Sequence, residues 1–159
     1  MKKYVDLKLK VFREFQLQNP TAHLGGSLGL MLRGIDLQRN LGKSDLDVTV
    51  DEYELKNLEV DRLDLTSEGN DFDFCVRKEI QDNDIFSKGS YVKMDIRVNP
   101  EPSFDKIEFE GFVYNVSKLR DILFWKKSYA NKGVKKHIDD LVTIETGIRL
   151  VEVNDDNWF

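Results

Sequence analysis

This chain is poor in the residues that build covalent or metal-locked scaffolds: one cysteine, three prolines and two histidines among 159 residues. A single cysteine excludes an internal disulfide framework and a cysteine-based zinc site. Cys75 stands in the strand-like Asp73-Phe74-Cys75-Val76 and reads as a small buried apolar residue. No apolar run approaches the length of a membrane span. The start, Met1-Lys2-Lys3-Tyr4-Val5-Asp6, has no apolar h-region, so no secretory signal is expected. There is no excess of positive charge either. The formal net charge is −5, the wrong sign for a protein that grips extended duplex nucleic acid nonspecifically. A reduced cytoplasm is the expected location, and a viral or mobile-element origin fits equally well. Internal repeats, linkers and low-complexity stretches are absent as well.

What is present points to one folded unit. Ten Phe, five Tyr, two Trp and a 40% apolar fraction argue against disorder. The length suits one domain with its own core, so residues 1–159 are read as a single α+β domain. Apolar residues near a 3.6 period predict a helix over 3–17, stopped by Asn19-Pro20. A short strand over 21–25 leads into Gly25-Gly26, and Ser27 is placed to open a helix to about Arg33. Residues 34–43 read as a polar connection, 44–50 as a strand, and Glu52 to about Leu58 as a short helix. Strands are expected at Asp71–Val76 and Tyr91–Val98, with loops at 81–84 and 87–90. A hairpin is expected around Glu110-Gly111. Helices from Ser117 to about Ala130 and from Lys135 to Thr146 form a C-terminal helical pair. A tail over 149–159 ends in Trp158-Phe159, which can dock on the domain or on a protein partner.

The chemistry concentrates in two places. Leu24-Gly25-Gly26-Ser27 is a glycine-rich helix entrance, where backbone N–H groups can meet a phosphate. Ser44-Asp45-Leu46-Asp47-Val48-Thr49-Val50 puts two carboxylates at i and i+2 of an apolar strand, about 6.6–7 Å apart along one face. A divalent cation makes such a like-charged pair tolerable. A third acid, Asp95, shares its strand face with Lys93 and Arg97; Asp73 competes for that place, and Asp71 more weakly. Three carboxylates on neighbouring strands can hold two Mg²⁺ ions for in-line displacement at phosphorus. Each feature also has a plainer explanation: a tight capped turn for the glycines, and a solvated strand face for the acids. Lys126, Arg39 and Lys43 can equally touch phosphate or water. His23 either faces the same cleft or is structural, and His137 is read as a surface or packing residue.

Gly-Gly-Ser at a helix start, a following D-x-D strand and a lone Asp on a later strand together resemble the polymerase-β-like nucleotidyltransferase superfamily. The C-terminal part adds to this. Val116-Ser117-Lys118-Leu119-Arg120-Asp121-Ile122-Leu123, Lys126 and Lys136-His137-Ile138-Asp139-Asp140-Leu141 look like the small bacterial members. The resemblance covers residues 20–146 and is nearest to the minimal, antibiotic-nucleotidyltransferase-like and abortive-infection-toxin-like branches. It implies a mixed β-sheet backed by helices, with an NTP (ATP first) as donor and Mg²⁺ as cofactor. It implies that Asp45, Asp47 and Asp95 bind metal, with Asp95 also the candidate base. It implies that Gly25, Gly26, Ser27 and Lys126 bind the nucleotide. Transfer would be of NMP to a hydroxyl on a small molecule, protein or RNA end. Two departures leave the acceptor open: His137 stands where the family has an acid, and the Ser27–Asp45 gap is long and polar. The rival expectation is an inactive nucleotide-binding or partner-binding module, such as one half of a toxin–antitoxin pair.

Overall fold

In a computed structural model of the chain, residues 2–56, 65–66, 74–79, 91–101 and 103–152 are described. Asp71, Asp73, Trp158, Phe159 and the expected loops at 81–84 and 87–90 lie outside them. The first helix, α1, spans Lys2–Gln18. Val5, Leu9 and Phe12 fall on one side at helical spacing and are buried, while Leu17 is exposed. Pro20 bars the preceding residue from helical geometry, and Asn19 closes the end by donating from Nδ2 to the Phe15 carbonyl. The strand β1, His23–Leu24, enters α2, Gly26–Leu32. A seven-residue helix does not hold itself in water, since isolated helices below ~12 residues are marginal. Burial of Leu28, Leu30 and Leu32 holds it instead, at about 1.5–3 kcal/mol for each fully buried side chain.

The connection that follows is less polar than its sequence suggests. Ile35, Leu37 and Leu41 are buried, and Leu41–Lys43 forms a 3-10 turn. The strand β2 is Leu46–Val50, so Asp45 stands just ahead of it rather than inside it. Next come α3 (Glu52–Lys56), β3 (Leu65–Thr66), β4 (Phe74–Glu79) and β5 (Tyr91–Val98). β6 (Phe104–Phe109) and β7 (Phe112–Ser117) form the expected hairpin. Its two turn residues, Glu110 and Gly111, have φ of 47° and 82°, as a two-residue turn matched to strand twist requires. Ser117 ends β7 rather than opening a helix, and α4 runs Leu119–Asn131. α5 runs Lys135–Glu152, so the segment expected as tail begins inside a helix.

The strands form one mixed seven-stranded sheet in the order β3-β4-β5-β2-β1-β7-β6. β2 runs parallel to β5, and β1 parallel to β7; the other pairings are antiparallel. Alternation divides the central strands. Leu46, Val48 and Val50 of β2 and Val92, Met94 and Ile96 of β5 turn into the core. Asp47, Thr49, Asp95 and Arg97 take the other face, over which α4 and the start of α5 lie. The chain is therefore α+β, with its two last helices packed against each other. Among the described residues no helix is long and apolar enough to cross a membrane.

Candidate functional site

The register of the sheet lines up the polar face in rows. Asp47 of β2 is the direct partner of Asp95 on β5, so two carboxylates stand side by side on adjacent strands. On the other flank the Gly25 amide donates to the Asp47 carbonyl at 2.8 Å. Two residues along, Thr49 is paired with His23 on one side and Arg97 on the other. Partners across a ladder point to the same face, so His23, Thr49 and Arg97 form a second row beside the first.

Gly26 explains how the Asp47 carboxylate reaches the glycine turn. Its φ is +60°, and a Cβ placed there would lie 2.0 Å from Asp47 Oδ2. The turn therefore needs glycine twice over, for its left-handed backbone and for the carboxylate against it. Gly25, not Ser27, is the residue before the helix, and no side chain caps it.

The expected acids differ in setting. Asp47 borders the cavity described below, and its carboxyl is pushed up to about 6. Burial is the largest cause and the Asp95 charge the next; Arg97 and Lys126 act against them. Asp95 is buried at 5% exposure, with Lys93 Nζ 3.4 Å from its Oδ1, and does not border the cavity. Asp45 is exposed. The nearby Lys8 ammonium donates to the carbonyls of Gly42 and Ser44, so it pins the chain just before Asp45. Among the described residues no set of three His, Cys, Asp or Glu side chains is gathered to hold a metal. The structure thus pairs Asp47 with Asp95 in register and leaves Asp45 exposed, near enough for its charge to act on Asp47.

Ser27 is buried and does not border the cavity. Its hydroxyl accepts from Arg39 Nη2 and from Lys126 Nζ, the latter at 3.2 Å. Lys126 is itself buried at 3% exposure and donates to Asp140 Oδ2 at 2.9 Å. Arg39 forks onto the same carboxylate, Nε to Oδ1 at 2.9 Å and Nη2 to Oδ2 at 3.1 Å. Burial would raise the Asp140 carboxyl, but these hydrogen bonds outweigh it and hold the group below its ordinary range. Burial lowers the Lys126 ammonium, against the pull of Asp140. His137 completes the cluster, its Nδ1 3.4 Å from Lys126 Nζ and its ring stacked on Tyr129. Burial, with Lys126 and Lys136 adding to it, takes the His137 imidazole down to about 4.

Between the sheet and α4 lies a cavity of about 310 Å³. Its floor is Gly25, Gly26, Asp47 and the row of His23, Thr49 and Arg97. Its roof carries Asp121, Trp125, Lys126 and Tyr129 of α4, with His137 at the end. The Arg97 guanidinium carbon is 3.6 Å from the Trp125 ring centroid, and Nη2 donates to the Tyr129 hydroxyl at 2.7 Å. A stacked, hydrogen-bonded guanidinium is a fixed positive charge, suited to an anionic or planar ligand.

Of the expected site residues, Gly25, Gly26, Asp47 and Lys126 border this cavity, whereas Ser27, Asp45 and Asp95 do not. The sequence placed Arg97 on the Asp95 face without a role in the site, and did not point to the Trp125–Tyr129 wall. The i+2 spacing of Asp95 and Arg97, matched by Asp47 and Thr49, was the available signal. His137, expected as a surface or packing residue, packs on Tyr129 and also forms part of the cavity wall. Arg39 turns out to hold Asp140, and Lys43 is exposed. Set against models of protein families, against curated proteins and against solved structures, the chain finds no match in any of the three.

Proposed function

We propose that this chain is a Mg²⁺-dependent nucleotidyltransferase of the polymerase-β-like kind, moving NMP from an NTP to a hydroxyl acceptor. The observation that supports it most is the register pairing of Asp47 with Asp95 beside the Gly25-Gly26 turn, at the edge of a cavity that also holds Lys126 and Arg97. The donor set fits a hard divalent cation. Two oxygen donors stand on neighbouring strands, and burial, with the charge of Asp95 next, already pushes Asp47 up. Mg²⁺ is commonly held by one or two carboxylates, with phosphate and water completing its shell, so two protein ligands suffice for a first ion. Asp45, exposed just ahead of β2 and already acting on Asp47 by its charge, would be the third carboxylate. When bound, Mg²⁺ offsets the triphosphate charge and favours displacement at the α-phosphorus.

The chain's own residues do the rest. Gly25 and Gly26 line the cavity, and the missing Cβ at Gly26 admits the Asp47 carboxylate that would hold the cation. Lys126 supplies a positive charge that Asp140 and Ser27 hold in one place. Arg97, clamped by Trp125 and Tyr129, orients the remainder of the ligand.

Incubation with each labelled NTP and a panel of small-molecule, protein and RNA acceptors tests this reading. Label transfer is expected from the wild type, with loss in Asp47→Ala and in Asp95→Ala. Undiminished transfer by those variants would remove the mechanism. One observation favours the rival, a nucleotide-binding module without turnover: Ser27 and Lys126 are already engaged inside the protein. Titration calorimetry that finds Mg²⁺–ATP binding, with intact ATP recovered afterwards, would decide for it.

A further inference from the structure

Transfer to a hydroxyl releases a proton, and the acid expected to take it is poorly placed. Asp95 does not border the cavity and has Lys93 against it. Asp47, in the proposed reading, is committed to a cation. His137 borders the cavity, but its Nδ1 faces the Lys126 ammonium. His23 is differently placed. It is 3% exposed, and it borders the cavity floor one row from Asp47. Successive residues on one face of a strand are about 6.6 Å apart, so that row is within a small acceptor's length of the carboxylates.

The ring of His23 is also prepared for the task. Nδ1 lies 2.9 Å from the Thr21 carbonyl. A carbonyl only accepts, so Nδ1 carries the proton and Nε2 keeps its lone pair. Phe104 stacks on the ring, centroids 5.2 Å apart, and fixes its plane. Burial favours the neutral imidazole. The Asp121 and Glu54 carboxylates, with the Thr21 carbonyl, act in the opposite sense and would steady an imidazolium once formed. Asp121 stands across the same cavity on α4.

We propose that His23 Nε2 is the general base that takes the proton of the acceptor hydroxyl. This rests on the transferase reading above. The acceptor oxygen forms its bond to the α-phosphorus and the bond from that phosphorus to the leaving oxygen breaks. Pyrophosphate departs, and the proton passes to Nε2. Electrons and charge balance with no further reactant. The acceptor is accordingly a hydroxyl compound small or slender enough to reach His23 on the cavity floor.

The test begins with His23→Gln. The transfer rate is expected to fall about 10²- to 10⁴-fold, the usual range for loss of a general base. Mg²⁺–ATP affinity by calorimetry should stay within about threefold, and the acid limb of the kcat profile should lose the part that belongs to His23 and keep that of Asp47. In His23→Ala, added imidazole should restore part of the rate. Transfer by His23→Gln within threefold of wild type, with an unchanged pH profile, overturns the proposal. With only two histidines in the chain, nitrogen-detected NMR can assign each tautomer. A proton on Nε2 rather than Nδ1 in the free protein overturns the role of His23 whatever the activity. A wild type that transfers nothing while Nδ1 is protonated overturns the transferase reading, and the base with it.

Discussion

Asp47 carries two opposed demands. Its carboxylate is useful to a cation only when ionised, yet burial and Asp95 both resist ionisation. Removing the charge should therefore separate stability from function. Asp47→Asn is expected to be as stable as wild type or more so in urea melts, and to lose about 10²- to 10³-fold in transfer rate, as when one electrostatic stabiliser is removed. Gly26 is bound to the same carboxylate. Gly26→Ala should cost about 1–3 kcal/mol, from a left-handed backbone combined with the clash on Oδ2. Adding Asp47→Ala removes the clash but not the backbone strain, so the double variant should recover part of the loss. A double-mutant cycle by chemical denaturation measures that coupling. Both residues were legible in the sequence, because a glycine pair and a D-x-D strand are local patterns. That Gly26 is needed for contact with Asp47 was not, since 21 positions of chain separate them.

Besides the apolar core, a buried set of charges ties elements to one another. Asp140 on α5 ties together Lys126 on α4 and Arg39 in the connection after α2. Asp140→Ala leaves two cations without their carboxylate, and breaking such a buried set costs about 3–5 kcal/mol. Unfolding in urea should show that loss, together with weaker nucleotide binding once Lys126 is released. His137 makes the junction of α4 and α5 sensitive to pH. Its imidazole titrates near 6.5 when unfolded and about 4 when folded. The unfolded chain thus takes up the proton first, and this contribution is whole above pH 6.5 and lost as pH falls towards 4. Asp47 has the opposite sign, since its folded value is the higher one, but it is common to wild type and variant. His137→Gln should therefore lose less stability than wild type between pH 7 and 4.5, read from melting temperatures at each pH. The elements with long or regular patterns, α1, β5 and the β6–β7 hairpin, were readable from periodicity and turn chemistry. The burial of Ile35, Leu37 and Leu41 was not, because their spacing fits neither a helix nor a strand and their burial is tertiary.

At the scale of the whole molecule, the cavity depends on four separate pieces of chain meeting. Residues 23–26 and 47–49 supply the middle of the floor, 97–99 one side, and 117–137 the opposite side and roof. A ligand that bridges floor and roof should stabilise the folded chain as a unit. At about 100 times its Kd a ligand bound only to the native state adds about 2.7 kcal/mol. Mg²⁺–ATP is therefore expected to raise the melting temperature, and ATP with a chelator to raise it less. Asp47→Ala should abolish the Mg²⁺-dependent part of the shift. An equal shift with and without Mg²⁺ would point to a site that does not use the carboxylates.

The sequence by itself determined the class of fold, an acidic strand and a glycine turn at a helix entrance. Those features arise from neighbours a few residues apart, where strand alternation and the freedom of glycine act directly. Tertiary structure alone decided which acids meet. The parallel register of β2 and β5 joins Asp47 to Asp95, while the lead-in pinned by Lys8 holds Asp45 exposed ahead of the strand. It likewise decided that Ser27 serves Lys126 and Arg39, and that His23 and His137 face one cavity. Strand register and the seating of α4 follow from burying apolar faces contributed by distant segments, and no local pattern encodes that sum.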